Sequence, residues 1–149
     1  MKPPKGIPMT PSERATRSAA AMWENDHASH WAGMVLVQTD EGSATMTLEV
    51  QAHHCNGHGM CHGGVIFLLA DSAFAFACNS RNQVTVAQHN MISFIASGQL
   101  GDTLTAQATE VSLTGRSGIY DVRVTNQDGV IIAEMRGMSR AITGQLFPE

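Results

Sequence analysis

The chain has 149 residues, 43% of them hydrophobic and 15% charged, and its formal net charge is -4. This length and composition fit one globular domain with a buried core. The net negative charge and the lack of a dense Lys/Arg block argue against a protein that binds nucleic acid or an anionic membrane surface mainly through positive charge. No apolar run has the length of a membrane span and no signal-peptide core is present, so we expect a cytoplasmic protein.

The N-terminal part of the chain predicts a leader followed by one helix. Residues 1–11 contain four prolines and are expected to form a flexible leader, with a single folded domain over residues 12–149. Ser12 is placed to cap an amphipathic helix of good helix formers that ends before Gly33. Met22 and Trp23 in this helix are interpreted as core residues, with the lining of a ligand pocket as the alternative.

The middle of the chain predicts a hairpin, a loop and a second helix. Strands are expected over residues 34–39 and 44–50, and the alternation in the second predicts one exposed face. The segment 53–62 is rich in His, Cys and Gly and is expected to be a loop. An apolar helix is expected from Gly63 to about Asn79.

The rest of the chain predicts strands, over residues 84–95, 102–113, 118–125 and 130–141. Asn126-Gln127-Asp128-Gly129 is a strong hairpin signal between the last two. One apolar helix against five or six antiparallel strands predicts an α+β fold, in which a curved sheet wraps a central helix and an extra helix precedes it.

Asp71 is the only charged residue in the apolar run from residue 63 to residue 78. Burying a carboxylate without a partner costs several kcal/mol or more. Such a group shifts its pKa, finds hydrogen-bond donors, or faces a cavity in which it acts. A structural carboxylate, bonded to nearby backbone or side-chain groups, is the alternative interpretation.

The ten residues 53–62 contain four histidines and two cysteines, so a metal site has to be considered. Their spacing matches no zinc finger or ribbon, and the glycines indicate a loop. We therefore expect no metal. A metal-dependent enzyme using His53, His58, Cys61 and His62 stays as an alternative. The odd number of cysteines, Cys55 included, does not resemble a disulfide framework, and we expect reduced thiols.

Gly63 and Gly64 lie where the apolar helix begins. Small residues at a helix N-terminus allow a ligand to approach the free backbone N–H groups, which is the arrangement of an oxyanion hole, although tight packing of helix on sheet explains them as well. Asp71 is eight residues further on, about 12 Å along the axis. If both act on one carbonyl, they have to come from two antiparallel helices, which predicts a dimer with shared sites.

Several motifs together resemble those of one family. They are Asn56-Gly57-His58, Cys61-His62-Gly63-Gly64, Leu69-Ala70-Asp71-Ser72-Ala73-Phe74-Ala75, Ala77-Cys78-Asn79-Ser80, Gly101-Asp102-Thr103-Leu104-Thr105-Ala106, Gly118-Ile119-Tyr120-Asp121-Val122 and Arg136-Gly137. From about Trp23 to Ile142 the chain closely resembles the hotdog-fold acyl-CoA thioesterases of the phenylacetic-acid-degradation type.

The resemblance implies a set of catalytic roles. Asp71 would be the general base or nucleophile, and Gly63, alone or with Gly64, would present backbone N–H to the thioester oxygen. Asn56 and His62 would orient water or substrate, with Ser72 as a helper; a structural role for His62 is the alternative. The resemblance also implies a homodimer with active sites at its interface and, on this ground alone, a homotetramer.

The expected substrate is an acyl-CoA with an aryl group, phenylacetyl-like or hydroxyphenylacetyl-like, or with a medium-length acyl chain, and no cofactor is expected. Family members often have Arg-Pro where this chain has Ala96-Ser97, so one basic contact to coenzyme A is missing. The candidates for substrate and coenzyme A binding are Arg116, Ser117, Arg136, Arg140 and Phe94. For the arginines, a solvated charge at a strand end is the alternative.

Two other functions remain open at this point. A hydratase or dehydratase on the same fold would leave the thioester intact and release no thiol. A non-catalytic module that binds or senses acyl-CoA would bind without turnover, although a costly carboxylate at Asp71 argues against it.

Overall fold

The computed structural model describes residues 6–149, so residues 1–5 of the predicted leader lie outside the described part. The elements in chain order are α1 (Pro11–Glu24), α2 (His27–Ala32), β1 (Val35–Asp40), β2 (Ser43–Glu49), a 3-10 turn (Ala52–His54), α3 (Gly63–Cys78), β3 (Thr85–Phe94), β4 (Thr103–Thr114), β5 (Ser117–Thr125) and β6 (Ile131–Ala141). Among residues 6–149, none of the helices is long and apolar enough to cross a membrane.

The N-terminal region holds two helices, so the prediction of one helix capped by Ser12 is wrong. Thr10 is the cap: its hydroxyl accepts from Glu13 N at 3.1 Å, and the Glu13 carboxylate accepts from Thr10 N at 3.0 Å. This reciprocal pair satisfies backbone donors that the helix leaves free. The helix ends at Glu24 because Asp26 caps a new one, accepting from Ser29 N at 3.1 Å.

The six strands form one antiparallel sheet in the order β1-β2-β4-β5-β6-β3. Every predicted strand is present, with ends within one residue of those expected, and the predicted central helix ends at Cys78 instead of Asn79. In β2, Ala44, Met46 and Leu48 are buried and the residues between them are half-buried, as the alternation predicts. The α+β prediction, with the sheet around one long helix, is confirmed.

The helix α3 is the centre of the core. Leu69, Ala70, Ala73, Phe74 and Ala77 are all 0% exposed. They pack with buried side chains of the sheet, which include Met46, Leu48, Leu104, Val122 and Val124. Burying a large apolar side chain stabilises the fold by roughly 1.5–3 kcal/mol. A helix covered on so many sides is held rigidly, which fixes the position of the polar groups at its start and middle.

The strand β3 lies at one edge of the sheet and, within residues 6–149, pairs only with β6. Asn90, Ile92 and Phe94 alternate along the face of β3 that lies against α3. Met91 points to the other face and is 66% exposed. Long edge strands with free backbone groups and exposed apolar residues are templates for pairing with a further strand.

Candidate active site

Asp71 lies in the middle of α3 and its half-buried side chain is directed at β3. Asn90 donates from Nδ2 to Asp71 Oδ1 at 2.8 Å. Burial raises the pKa of Asp71 above its usual value, and the hydrogen bond from Asn90 partly offsets this by stabilising the charged form. The carboxylate is thus held in one orientation, with one oxygen bonded and its basicity increased.

Asn90 was not among the residues that sequence reasoning selected. It lies directly across from Gly137 on β6, where a Cβ atom would come within 3.0 Å of Asn90 Oδ1 and 2.9 Å of the Phe74 ring. The missing side chain leaves the space in which Asn90 reaches Asp71. The sequence pattern that could have identified Asn90 is the alternation along β3, which places this polar residue on the same face as Ile92 and Phe94.

The first turn of α3 contains one free donor. His62 is the cap: its Nδ1 accepts from Gly64 N at 2.8 Å. Its carbonyl oxygen accepts from Val65 N at 2.9 Å and Ile66 N at 3.1 Å. The Gly63 N–H makes no hydrogen bond within residues 6–149. The arrangement corrects the expectation for Gly64, whose N–H is already used, and leaves Gly63 as the donor aligned with the helix dipole.

The Gly63 N–H lies beside a cleft of about 300 Å³. The cleft is lined by Asn56, Met60, Cys61, Gly63, Ile66, Phe94, Ile95, Ala96 and Ser97. Asn56 Oδ1 accepts from His58 N at 2.9 Å, which shapes the loop. A Cβ atom at Gly63 would lie 3.1 Å from the Phe94 ring, so the helix start and the aromatic ring are in close contact. Apolar walls next to a lone backbone donor suit a polarised acyl group.

His54 holds the loop that leads into α3, which sequence reasoning did not foresee. Its Nδ1 accepts from Gln51 N at 2.9 Å, so the proton is on Nε2, which donates to Ala32 O at 2.8 Å. Its own carbonyl oxygen accepts from His62 N at 2.8 Å. His54 therefore ties the end of α2, through its side chain, to the cap of α3, through its backbone carbonyl.

Two of the predicted site residues are engaged elsewhere. The Ser72 hydroxyl is buried and lies 3.0 Å from Ser29 Oγ, which itself donates to Asp26 at 2.7 Å. Ser72 therefore links α3 to α2. Arg136 forms a two-pronged ion pair with Asp121, at 2.7 and 2.9 Å, on the outer face of the sheet.

The other candidates for coenzyme A contact lie at one end of the sheet. Arg140 Nη1 donates to Ser117 Oγ at 3.1 Å, and these residues pair across β5 and β6. Arg116 is exposed in the preceding turn. Within residues 6–149, no three His, Cys, Asp or Glu side chains form a group that could hold a metal ion.

Asp71 and Gly63 belong to opposite parts of one helix. They are eight residues apart, about 12 Å along the axis. Asp71 does not line the cleft at Gly63. A single subunit therefore presents a donor in one place and a carboxylate in another.

Comparison with known proteins agrees with this architecture. Residues 58–133 match the family model of the thioesterase superfamily. The chain is 42% identical over 138 residues to the acyl-coenzyme A thioesterase PaaI of Escherichia coli (strain K12), covering 93% of this chain and 99% of that protein.

Two solved structures show the same fold. The Escherichia coli PaaI protein, from the phenylacetic acid degradation operon, superposes with a TM-score of 0.90, covering 91% of this chain and 99% of that one. A Streptococcus mutans protein bound to acetyl CoA is 30% identical, with a TM-score of 0.71 and coverage of 75% and 90%. The chain therefore belongs to the thioesterase superfamily, as a hotdog-fold homologue of the acyl-CoA thioesterase PaaI.

Proposed function

We propose that the protein hydrolyses aryl or medium-chain acyl-CoA to the free acid and coenzyme A. The observation on which this rests is the Gly63 N–H, which makes no hydrogen bond within residues 6–149 and lies beside the cleft at the positive end of α3. A preorganised donor of this kind stabilises the oxyanion of a tetrahedral intermediate. The raised pKa of the Asp71 carboxylate makes it a stronger base than an exposed aspartate.

The proposed reaction needs only these two groups. The thioester oxygen accepts from Gly63 N–H, and Asp71 either removes a proton from an attacking water or attacks the carbonyl carbon itself. A carbon–oxygen bond forms, the carbon–sulfur bond breaks, and the coenzyme A thiolate leaves and takes up a proton. In the second route water then hydrolyses the acyl anhydride on Asp71. Asn56, a lining residue of the cleft, orients the acyl group or the water.

The two half-sites meet in a homodimer formed through β3. Phe94 lies against Gly63 and Asn90 bonds to Asp71, so both groups face this edge strand. Phe94 and Asn90 are four residues apart, about 13 Å along a strand. An antiparallel pairing of two β3 strands about a twofold axis near Ile92 brings Gly63 of the partner subunit to the level of Asp71. A dimer of such dimers is proposed from the family resemblance alone.

The acyl group and the coenzyme A group of the substrate require different surroundings. The cleft has apolar walls, which favour an aryl group; they include Met60, Ile66, Phe94 and Ile95. The origin of the PaaI relative in a phenylacetic acid degradation operon supports the same choice. As the residue that contacts the coenzyme A phosphates we favour Arg116 over Arg136, because Arg136 is already paired with the Asp121 carboxylate.

The first test is the release of free thiol from a panel of esters: phenylacetyl-, hydroxyphenylacetyl-, benzoyl-, acetyl- and hexanoyl-CoA. We expect release from all arylacetyl esters, with the highest kcat/KM among them and the lowest for acetyl-CoA. Saturable binding without release would favour the acyl-CoA sensing module. Hydration of an added 2-enoyl-CoA, with its thioester intact and no thiol released, would favour the hydratase.

The role of Asn90 predicts a pH effect. Its hydrogen bond lowers the pKa of Asp71 against the raising effect of burial. In Asn90→Ala the carboxylate loses this bond, its pKa rises further, and it stays protonated to a higher pH. The acidic limb of the pH profile of kcat/KM should therefore shift to higher pH, while activity on the alkaline side is less affected. Asn25→Ala is the control, since Asn25 is exposed between α1 and α2, away from β3. An unshifted limb in Asn90→Ala would mean that Asp71 is not the titrating base.

A further inference from the structure

Two cysteines face each other in the loop before α3. Cys55 and Cys61 form an isolated antiparallel bridge. Two backbone hydrogen bonds, each 2.8 Å, flank this pair: Asn56 N to Met60 O and His62 N to His54 O. The cysteines thus form a non-hydrogen-bonded pair, with Cα atoms about 4.5 Å apart and side chains on the same face. This separation is inside the range of about 4.4–6.8 Å that a disulfide spans.

The two thiols differ in accessibility. Both are free, and Cys55 is half-buried whereas Cys61 is 3% exposed. Each sulfhydryl donates only a weak bond to a backbone carbonyl, Cys55 to Gln51 O at 3.5 Å and Cys61 to His62 O at 3.9 Å. Burial raises the pKa of Cys61 to about 11, with a further contribution from the charge of nearby Cys55. Cys55 is the thiol that an oxidant reaches first.

We propose that Cys55 and Cys61 form a reversible disulfide within one subunit, and that this disulfide slows hydrolysis at the adjacent cleft. The second half of this proposal rests on the proposed function.

The chemistry is a thiol–disulfide exchange with a low-molecular-weight disulfide as the oxidant. The Cys55 thiolate attacks one sulfur of the reagent, forms a mixed disulfide and releases one reagent thiol. Cys61 then loses its proton and attacks Cys55 Sγ, which releases the second reagent thiol. The reagent takes up two electrons and the two cysteine protons. Because the pKa of Cys61 is raised, the second step should be slow at neutral pH and faster as the pH rises.

The link between the disulfide and the site is short. Cys55 precedes Asn56, and Cys61 is two residues before Gly63 and lines the cleft itself. Opposed Cβ atoms in such a pair are about 4.5–5.5 Å apart, whereas a disulfide holds them at about 3.8 Å. Oxidation therefore draws the two segments together by about 1 Å. A displacement of that size at reacting groups can cost as much as about 10²-fold in rate.

The test compares the wild type, Cys55→Ser and Cys78→Ala, each incubated with oxidised glutathione. Cys78 is buried near the other end of α3 and serves as the control thiol. Peptide mapping of unreduced digests should show the Cys55–Cys61 crosslink in the wild type and Cys78→Ala. Their kcat/KM should fall roughly tenfold or more, with recovery in dithiothreitol, while Cys55→Ser keeps its activity.

Other outcomes would overturn the proposal. Glutathione that stays on Cys55 without a crosslink, or a crosslink between subunits, contradicts the disulfide. A complete crosslink with unchanged kcat/KM contradicts its effect on hydrolysis. Peptide mapping does not depend on enzyme activity. If the reduced wild type hydrolyses no ester, the proposed function is refuted, and the mass of the crosslinked peptide still shows whether the disulfide forms.

Discussion

Asp71→Asn should reduce kcat for arylacetyl-CoA by roughly 10²–10⁴-fold, the usual contribution of a positioned general base. Asparagine has the same shape, so it removes the charge and basicity while leaving the surroundings of α3 in place. The KM for the ester and the unfolding transition should change little. Thiol release over a range of ester concentrations gives kcat and KM, and circular dichroism of the same sample during heating gives the unfolding transition.

The matched control for this change is Asp128→Asn. Asp128 is exposed in the hairpin between β5 and β6, and the same chemical replacement there should leave kcat unchanged. Near wild-type kcat in Asp71→Asn would exclude Asp71 as base and as nucleophile. Loss of both kcat and the cooperative unfolding transition in Asp71→Asn would show that the carboxylate is structural.

Gly63→Pro should lower kcat by about 10²–10³-fold, as loss of an oxyanion donor does elsewhere. Gly63 is the first residue of α3, a position at which proline is well tolerated because its missing N–H has no helical partner. His62 has φ -61° and ψ 135°, which is the extended conformation that a residue before proline adopts. The substitution therefore removes the donor and keeps the helix.

Gly63→Ala is the control because it keeps the N–H. Both variants place a Cβ atom about 3.1 Å from the Phe94 ring, so they crowd this ring in the same way. Alanine should retain most of kcat, and any effect of crowding will appear in KM for both variants. Equal losses of kcat in the two would refute the oxyanion role.

The same variants report on the shared site. Subunits of Asp71→Asn and Gly63→Pro, refolded together, should regain activity that neither has alone, because one of the two sites in a mixed dimer has an intact donor and carboxylate. No recovery in a mixture shown by native mass spectrometry to contain mixed dimers would place both groups of a site in one subunit.

Much of the fold could be predicted from local pattern. In β2 the alternation that predicts a half-exposed strand matches the burial observed, and α3 is recognisable as an apolar run, rich in Leu, Ala and Phe, in which Asp71 is the only charged residue. The prediction of a single N-terminal helix failed for a local reason as well. Asp26 caps a second helix, so the chain starts α2 at His27 instead of continuing α1.

The site was only partly predictable. The prediction of Asp71 rests on its charge in an apolar run, and that of Gly63 on its place at a helix start. Gly64 was misassigned because the hydrogen bond from its N–H to the His62 ring depends on side-chain geometry. Asn90 was missed because its partner is 19 residues away and on another element.

The sequence alone determined the order and length of the six strands and of α3, the central position of α3 and the presence of one carboxylate in it. These follow from periodicity and from the cost of burying charge, which act over a few residues. The tertiary structure decided which N–H remains free, which side chain orients Asp71, and that Cys55 faces Cys61. Such contacts depend on how the sheet places distant segments against the helix, and distances between segments far apart in the chain are not encoded in any local pattern.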